Sequence, residues 1–149
     1  MTEVLFYHLT ESTLEEALPP LLEKSLERGW KAVVQTGSDE RRAALDQHLW
    51  TWRDDSFLAH GLDHEPHAAA QPVLLTTGQG AANGAQIRFM VDGASPPDLA
   101  AYARAVFMFD GHDDMQVRQA REHWKAMKTA GHQATYWQQT PERRWERKA

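Results

Sequence analysis

Short apolar runs recur along this chain in a rhythm that few folds other than a parallel sheet can satisfy. Val4–Leu9, Lys31–Thr36, Val73–Thr77, Ile87–Val91, Ala105–Phe109 and Gln133–Gln138 are each five or six residues long, and most are rich in β-branched and aromatic side chains. That is the composition of strands buried on both faces. Three stretches of helical character lie between them. Ser12 or Thr13 can cap the first, Leu14, Leu18, Leu21, Leu22 and Leu26 share one face, and Gly29 closes it. Pro19 and Pro20 in that stretch fit a kink or a delayed helix start better than an uninterrupted helix. Ser38 or Asp39 caps a second helix that reaches about Leu49 with Leu45 and Leu49 inward, and Asp113 or Asp114 caps a third that runs to about Ala130 and stops at Gly131.

Strand, helix and strand joined by short glycine turns predict right-handed parallel crossovers. The 149 residues, 42% of them apolar, leave room for one compact domain. The expected fold is a three-layer α/β domain with a mainly parallel, Rossmann-like sheet over residues 1–139, followed by a loosely held basic tail over 140–149. Residues 51–72, rich in His, Asp, Gly and Pro, break the rhythm and are expected to be a functional or surface-wrapping loop. Gly78–Ala85 is expected to be a turn or short helix, and Pro96–Tyr102 to form one or two helical turns.

The formal net charge of −5 conceals an uneven distribution. Residues 1–117 carry eight basic and eighteen acidic side chains, a net −10. From Arg118 onward there are eight bases against three acids, a net +5. A basic end on an acidic body directs attention to an anionic partner at that end. With no cysteine, disulfides, thiolate metal sites and cysteine nucleophiles are excluded. The N-terminal MTEVLFYHLT has neither the charge pattern of a signal peptide nor the length of an anchor, and no run approaches the roughly 20 apolar residues of a membrane span. These features predict a soluble cytoplasmic protein that does not enter a membrane.

Several chemistries can be weighed against the residues. Gly78, Gly80 and Gly84 follow a strand, but a dinucleotide fold places its glycines after the first strand, and here that strand leads into HLTEST. There is no GxxxxGK[ST] phosphate loop. His60, His64 and His67, with Asp63 and Glu65, have the types of metal ligands, but Gly61 and Pro66 deprive their spacing of helical meaning. No GxSxG nucleophile elbow occurs. The sequence thus nominates neither a reaction nor a cofactor, although a small nucleotide-using or hydrolytic enzyme on this fold is a competing reading.

The third helix carries the most distinctive pattern. Arg118, Arg121, Lys125 and Lys128 recur at i, i+3, i+7 and i+10, so they share one ridge, and Trp124 lies beside it. A positive stripe with a flat aromatic suits an acidic peptide bearing an apolar anchor, or a single nucleic-acid strand.

LDQHLW ending at Trp50, SFLAHG from Ser56 to Gly61, EPHAAAQPVLLTT from Glu65 to Thr77, AREHWKAMKTAGH from Ala120 to His132 and TYWQQ from Thr135 to Gln139 occur in that order. As an ordered set over nearly the whole chain, they resemble the chi subunit of bacterial DNA polymerase III holoenzyme. The resemblance implies a non-catalytic accessory subunit of the clamp-loader complex, on a nucleotide-binding-like fold that no longer binds nucleotide. It implies a site for the acidic C-terminal tail of single-stranded-DNA-binding protein, and another face for the psi subunit and, through it, the clamp loader. Some members are linked to a helicase-type repair partner. Carried over by motif, Arg121 and Lys125 would hold the tail's acids and terminal carboxylate, Trp124 would wall an apolar slot, and Phe57 and Trp50 would supply its other side. Relatives can carry Tyr where this chain has Trp124, and some carry lysine where it has Val117.

Overall fold

The computed structural model describes residues 2–52 and 59–149. Eight strands form one sheet: β1 (Glu3–Leu9), β2 (Ala32–Gln35), β3 (His60–Leu62), β4 (Val73–Thr76), β5 (Ile87–Met90), β6 (Arg104–Asp110), β7 (Gln133–Gln139) and β8 (Trp145–Arg147). Their spatial order is β3-β4-β2-β5-β6-β1-β7-β8, and every pairing is parallel except β7 with β8. The helices are α1 (Leu14–Glu27), α2 (Asp39–Thr51) and α3 (Asp114–Thr129). The sheet is the middle of three layers, as expected. Its order differs from the 3-2-1-4-5-6 arrangement of dinucleotide folds, because β1 sits between β6 and β7.

Side-chain alternation along the strands builds two cores. Leu5, Leu9, Val34, Leu75, Phe89 and Val106 face α1 and α2, where they meet Leu18, Leu22, Leu45 and Leu49. Val4, Phe6, Met90, Phe107 and Phe109 face the opposite side and meet Ala120 and Met127 of α3. The two faces therefore belong to different helices, which decides which functional side chains can meet.

Local signals account for the helix starts. Thr13 and Glu16 form a reciprocal capping box on α1, Ser38 Oγ accepts from Arg41 N at 3.2 Å, and Asp113 Oδ1 accepts from Met115 N and Gln116 N at 3.0 and 3.2 Å. Pro19 and Pro20 lie inside α1 without dividing it, contrary to the expected kink or late start. Pro19 cannot donate to the carbonyl four residues before it, that of Glu15, and His48 Nε2 on α2 donates to that carbonyl instead, at 2.7 Å. The neighbouring helix supplies the missing bond.

Three further expectations change. Residues 60–62 of the expected loop form edge strand β3, and Ala68–Ala70 form a 3-10 turn. Pro96–Tyr102 forms no helix; Leu99 is buried, and its carbonyl accepts from Thr2 Oγ1 at 2.7 Å, which holds the segment as a cover over β5 and β6. Residues 140–149 are not a loose tail. Trp145 packs on Tyr7 with ring centroids 4.5 Å apart, and β8 pairs with β7 from Gln139 to Trp137.

Candidate functional site

Val117, Ala120, Trp124 and Met127 fall at i, i+3, i+7 and i+10 on α3 and turn toward the sheet. Trp124 meets Phe6 edge-on at 5.3 Å and Tyr136 of β7 edge-on at 6.0 Å, the T-shaped geometry favoured by ring quadrupoles. Arg121 and Lys125 follow around the helix on the flank nearest β7. Together Arg121, Trp124, Lys125, Tyr136 and Ala149 line an open concavity of about 340 Å³. Lys128 Nζ sits 5.0 Å above the Trp124 ring, close enough for a cation–π contact.

Among the described residues, Arg118, Arg121 and Lys125 take part in no ion pair. Their charge is available to a ligand. Arg121 also acts on groups under the concavity. Tyr136 Oη and His8 Nδ1 share a 2.7 Å hydrogen bond. Burial raises the Tyr136 phenol above its ordinary range while Arg121 opposes that rise. Burial lowers His8, and His112 and Arg121 lower it further against Asp110. A guanidinium that can grip a carboxylate with two N–H groups, a nearby ammonium and two aromatic walls make a recognition site for an acid with an apolar neighbour.

The structure does not bring every expected residue here. Arg121, Trp124, Lys125 and Lys128 come together, with Arg118 one helical turn from Arg121. Trp50 does not join them. It lies in the last turn of α2, on the opposite face of the sheet, where its ring packs at a tilt against His60 with centroids 4.5 Å apart and lines a separate depression with Asp46, Glu65 and His67. Its neighbour β3 is six strand positions from β7, roughly 29 Å at the usual inter-strand spacing. Phe57 lies outside the described residues. Tyr136 and Ala149 are the lining residues that sequence reasoning missed. TYWQQ contained the signal for Tyr136, since alternation must send Tyr136 and Trp137 to opposite faces.

The competing sites acquire local explanations. Arg88 is fully buried, and its guanidinium donates to the carbonyls of Gly78 and Gly80 at 2.8 and 3.0 Å, to Gln35 Oε1 at 2.7 and 3.2 Å and to Tyr102 Oη at 3.0 Å. All five N–H groups are engaged, and the glycine turn aims its carbonyl oxygens at an internal cation. At the turn after β1, the amides of Thr10, Glu11 and Ser12 donate to Gln139 Oε1 at 3.2, 3.0 and 2.9 Å. This is the turn that grips phosphate in dinucleotide folds, and here a side chain of the same protein fills it. His60 is buried and contacts Asp46 Oδ1 at 3.0 Å, whereas His64 and His67 are exposed. Among the described residues no three His, Asp or Glu side chains are grouped to hold a metal ion.

Among the described residues no helix is long and apolar enough to cross a membrane. The family model described as "DNA polymerase III chi subunit, HolC" matches residues 1–135. A Rickettsia prowazekii (strain Madrid E) protein named "Probable DNA polymerase III subunit chi" is 28% identical over 100 residues, which cover 67% of this chain and 59% of that relative. The match thus spans less than two thirds of the relative's length. With the family model covering β1 through the start of β7, the chain belongs to the DNA polymerase III chi subunit family, whose members are accessory rather than catalytic subunits of the replication polymerase.

Proposed function

We propose that the α3 concavity binds the acidic C-terminal tail of single-stranded-DNA-binding protein and thereby ties that protein to the polymerase III clamp-loader complex. One observation carries this reading: Arg121 and Lys125, which take part in no ion pair among the described residues, converge with Trp124 and Tyr136 on a single open concavity. Arg121 takes a carboxylate, Lys125 adds positive charge, and the two rings receive an apolar side chain. Lys128 is partly committed to Trp124 and orients that wall. The net −10 of residues 1–117 repels a DNA backbone, which favours recruitment through a protein tail over direct strand binding.

The psi subunit, or a helicase-type repair partner, belongs on another surface. Trp50, 52% exposed at the far edge of the sheet, lies where it leaves the α3 side open. Two partners can then be held at once in the cytoplasm, one on each edge. The deciding test is a titration with an acidic peptide ending in a free-carboxylate phenylalanine, followed by fluorescence anisotropy. Loss of a charge-assisted, two-pronged contact in Arg121→Ala should weaken binding about 10- to 100-fold. Affinity should also fall steeply as salt rises from 50 to 300 mM. Unchanged affinity in Arg121→Ala overturns the reading, as does an oligothymidylate that binds more tightly through the same residues.

A further inference from the structure

The basic run from Arg143 to Lys148 begins just past the residues matched by the family model, and the structure sorts its charges individually. Arg143 Nη1 approaches Glu16 Oε2 at 3.4 Å. Arg147 Nε donates to the Ala149 carbonyl at 3.0 Å. Lys148 Nζ lies 3.4 Å from Glu146 Oε1. Arg144 is different: its backbone amide donates to Thr140 Oγ1, but among the described residues its guanidinium has no hydrogen bond, ion pair or ring contact.

Strand alternation shows which way these side chains point. Trp137 and Trp145 pack into the α1/α2 core, whereas Ala134 and Tyr136 pack into the α3 core. Gln138 pairs with Glu146 and Trp137 with Arg147. Glu146 therefore shares the α3 side with Gln138 and Arg147 lies on the other, and the same alternation carried one residue beyond each end of β8 assigns Arg144 and Lys148 to the α3 side. Lys148 N donates to the Tyr136 carbonyl at 2.7 Å, which places β8 along the rim of the concavity. Helix α3 runs antiparallel to β7 in a β6-α3-β7 crossover, so Arg118 and Arg144 lie toward the same end. Packed on the sheet, α3 stands as the single wall of a shallow groove whose floor is the α3-side face of β7 and of β8 beside it.

We propose that this groove is an extended acidic-peptide site in which Arg144, with Arg118 opposite, binds a second carboxylate upstream of the one held by Arg121. This rests on the reading of the α3 concavity given above. Arg144 precedes Lys148, beside the concavity, by four residue steps across β8, a span of about 13 Å in extended chain. An extended peptide covers that distance in about four residues. The ligand is thus a peptide with an acid near its apolar end and further acids about four residues upstream. Lys148 Nζ, 3.4 Å from Glu146 Oε1, offsets part of that carboxylate's repulsion of the peptide.

The test uses the full chain and two peptides, acetyl-Gly-Gly-Asp-Phe and acetyl-Asp-Asp-Asp-Gly-Gly-Asp-Phe, both with free carboxylates. In the unaltered protein at 50 mM salt the longer peptide should bind roughly fivefold more tightly, as expected of one or two partly screened charge contacts. Arg144→Gln should reduce that ratio to within twofold of unity and leave the short peptide unaffected, and Arg144→Lys should restore most of it. Arg143→Gln removes the same charge from the same turn and should preserve the ratio, because that guanidinium faces Glu16. A ratio unaltered by Arg144→Gln, or reduced equally by Arg143→Gln, overturns the groove while the Arg121 site stands. Loss of Arg121 dependence with the ratio still governed by Arg144 sinks the concavity instead. An oligothymidylate that displaces the longer peptide and is equally weakened by Arg144→Gln assigns the groove to nucleic acid and overturns the proposal.

Discussion

Tyr136 and His8 share a 2.7 Å hydrogen bond directly beneath the α3 concavity, which links its floor on β7 to the neighbouring strand β1. Arg121 acts on both partners, and burial has already placed His8 below its ordinary range. The sign of the pH dependence follows. A histidine whose folded pKa is lowered stays neutral in the folded chain while its unfolded counterpart, near 6.5, takes up a proton. Its contribution to stability is present above about pH 6.5 and is lost as pH falls through the window below that value. Urea unfolding at pH 7.5, 6.5 and 5.5 should show a smaller acid-side decline in His8→Gln than in the unaltered chain; parallel declines would contradict the assignment. Tyr136→Phe keeps the ring wall and removes the bond, at a cost of about 1 kcal/mol.

Gln139 offers a sharper test because one oxygen accepts from three successive amides, those of Thr10, Glu11 and Ser12. Its Nε2 also donates to Ser12 Oγ at 3.0 Å. Gln139→Ala strands those donors at a partly buried turn and should cost roughly 2–3 kcal/mol of unfolding free energy by denaturant titration. Gln139→Glu keeps an acceptor and adds a charge that three N–H groups stabilise, so its folded pKa falls below the usual carboxylate value. Near neutral pH it should be at least as stable as Gln139→Ala by more than 1 kcal/mol, an advantage that disappears as pH drops through about 4.

What sequence reasoning reached and what it missed divide along the range of the interactions. The caps at Thr13, Ser38 and Asp113 are written within four residues of the helix starts, so α1, α2 and α3 could be placed directly. Strands β3 and β8 are three residues each, and their formation depends on distant partners: Trp145 is held by Tyr7 and His60 by Asp46 and Trp50. Pro96–Tyr102 lost its expected helix to a contact between Leu99 and Thr2, 97 residues apart. At the site, the helical period alone assembled Arg121, Trp124, Lys125 and Lys128. The resemblance groups Trp50 with them, but a list of motifs carries no information on which sheet edge each one occupies.

His48 and Pro19 form a pair whose coupling can be measured. Because Pro19 has no N–H, the Glu15 carbonyl depends on the His48 Nε2 donor. His48→Ala should cost about 1 kcal/mol in the unaltered chain. In a Pro19→Ala background the new amide reaches that carbonyl within the helix, and the same substitution should cost clearly less. A double-mutant cycle in urea should therefore give a coupling of about 0.5–1 kcal/mol, and strict additivity would show that the inter-helix bond does not replace the missing intrahelical one.

Trp124 serves the fold and the site together, and a graded series can separate the two roles. Its ring touches Phe6 and Tyr136 and carries Lys128 on one face. Trp124→Ala removes a large, half-buried ring packed against the core and should lower stability by about 2–3 kcal/mol, below the cost of a fully buried tryptophan, so any binding loss in that variant is mixed with unfolding. Trp124→Tyr keeps an aromatic wall and a face for Lys128, and should cost less than about 2 kcal/mol. Measured well below its unfolding transition, it should bind the acidic peptide within about fivefold of the unaltered chain, whereas Trp124→Leu, equally able to fill the core, loses the flat wall and the cation–π contact and should weaken binding further. If Trp124→Leu and Trp124→Tyr bind alike, the ring contributes only packing, and peptide recognition at α3 rests on Arg121 and Lys125.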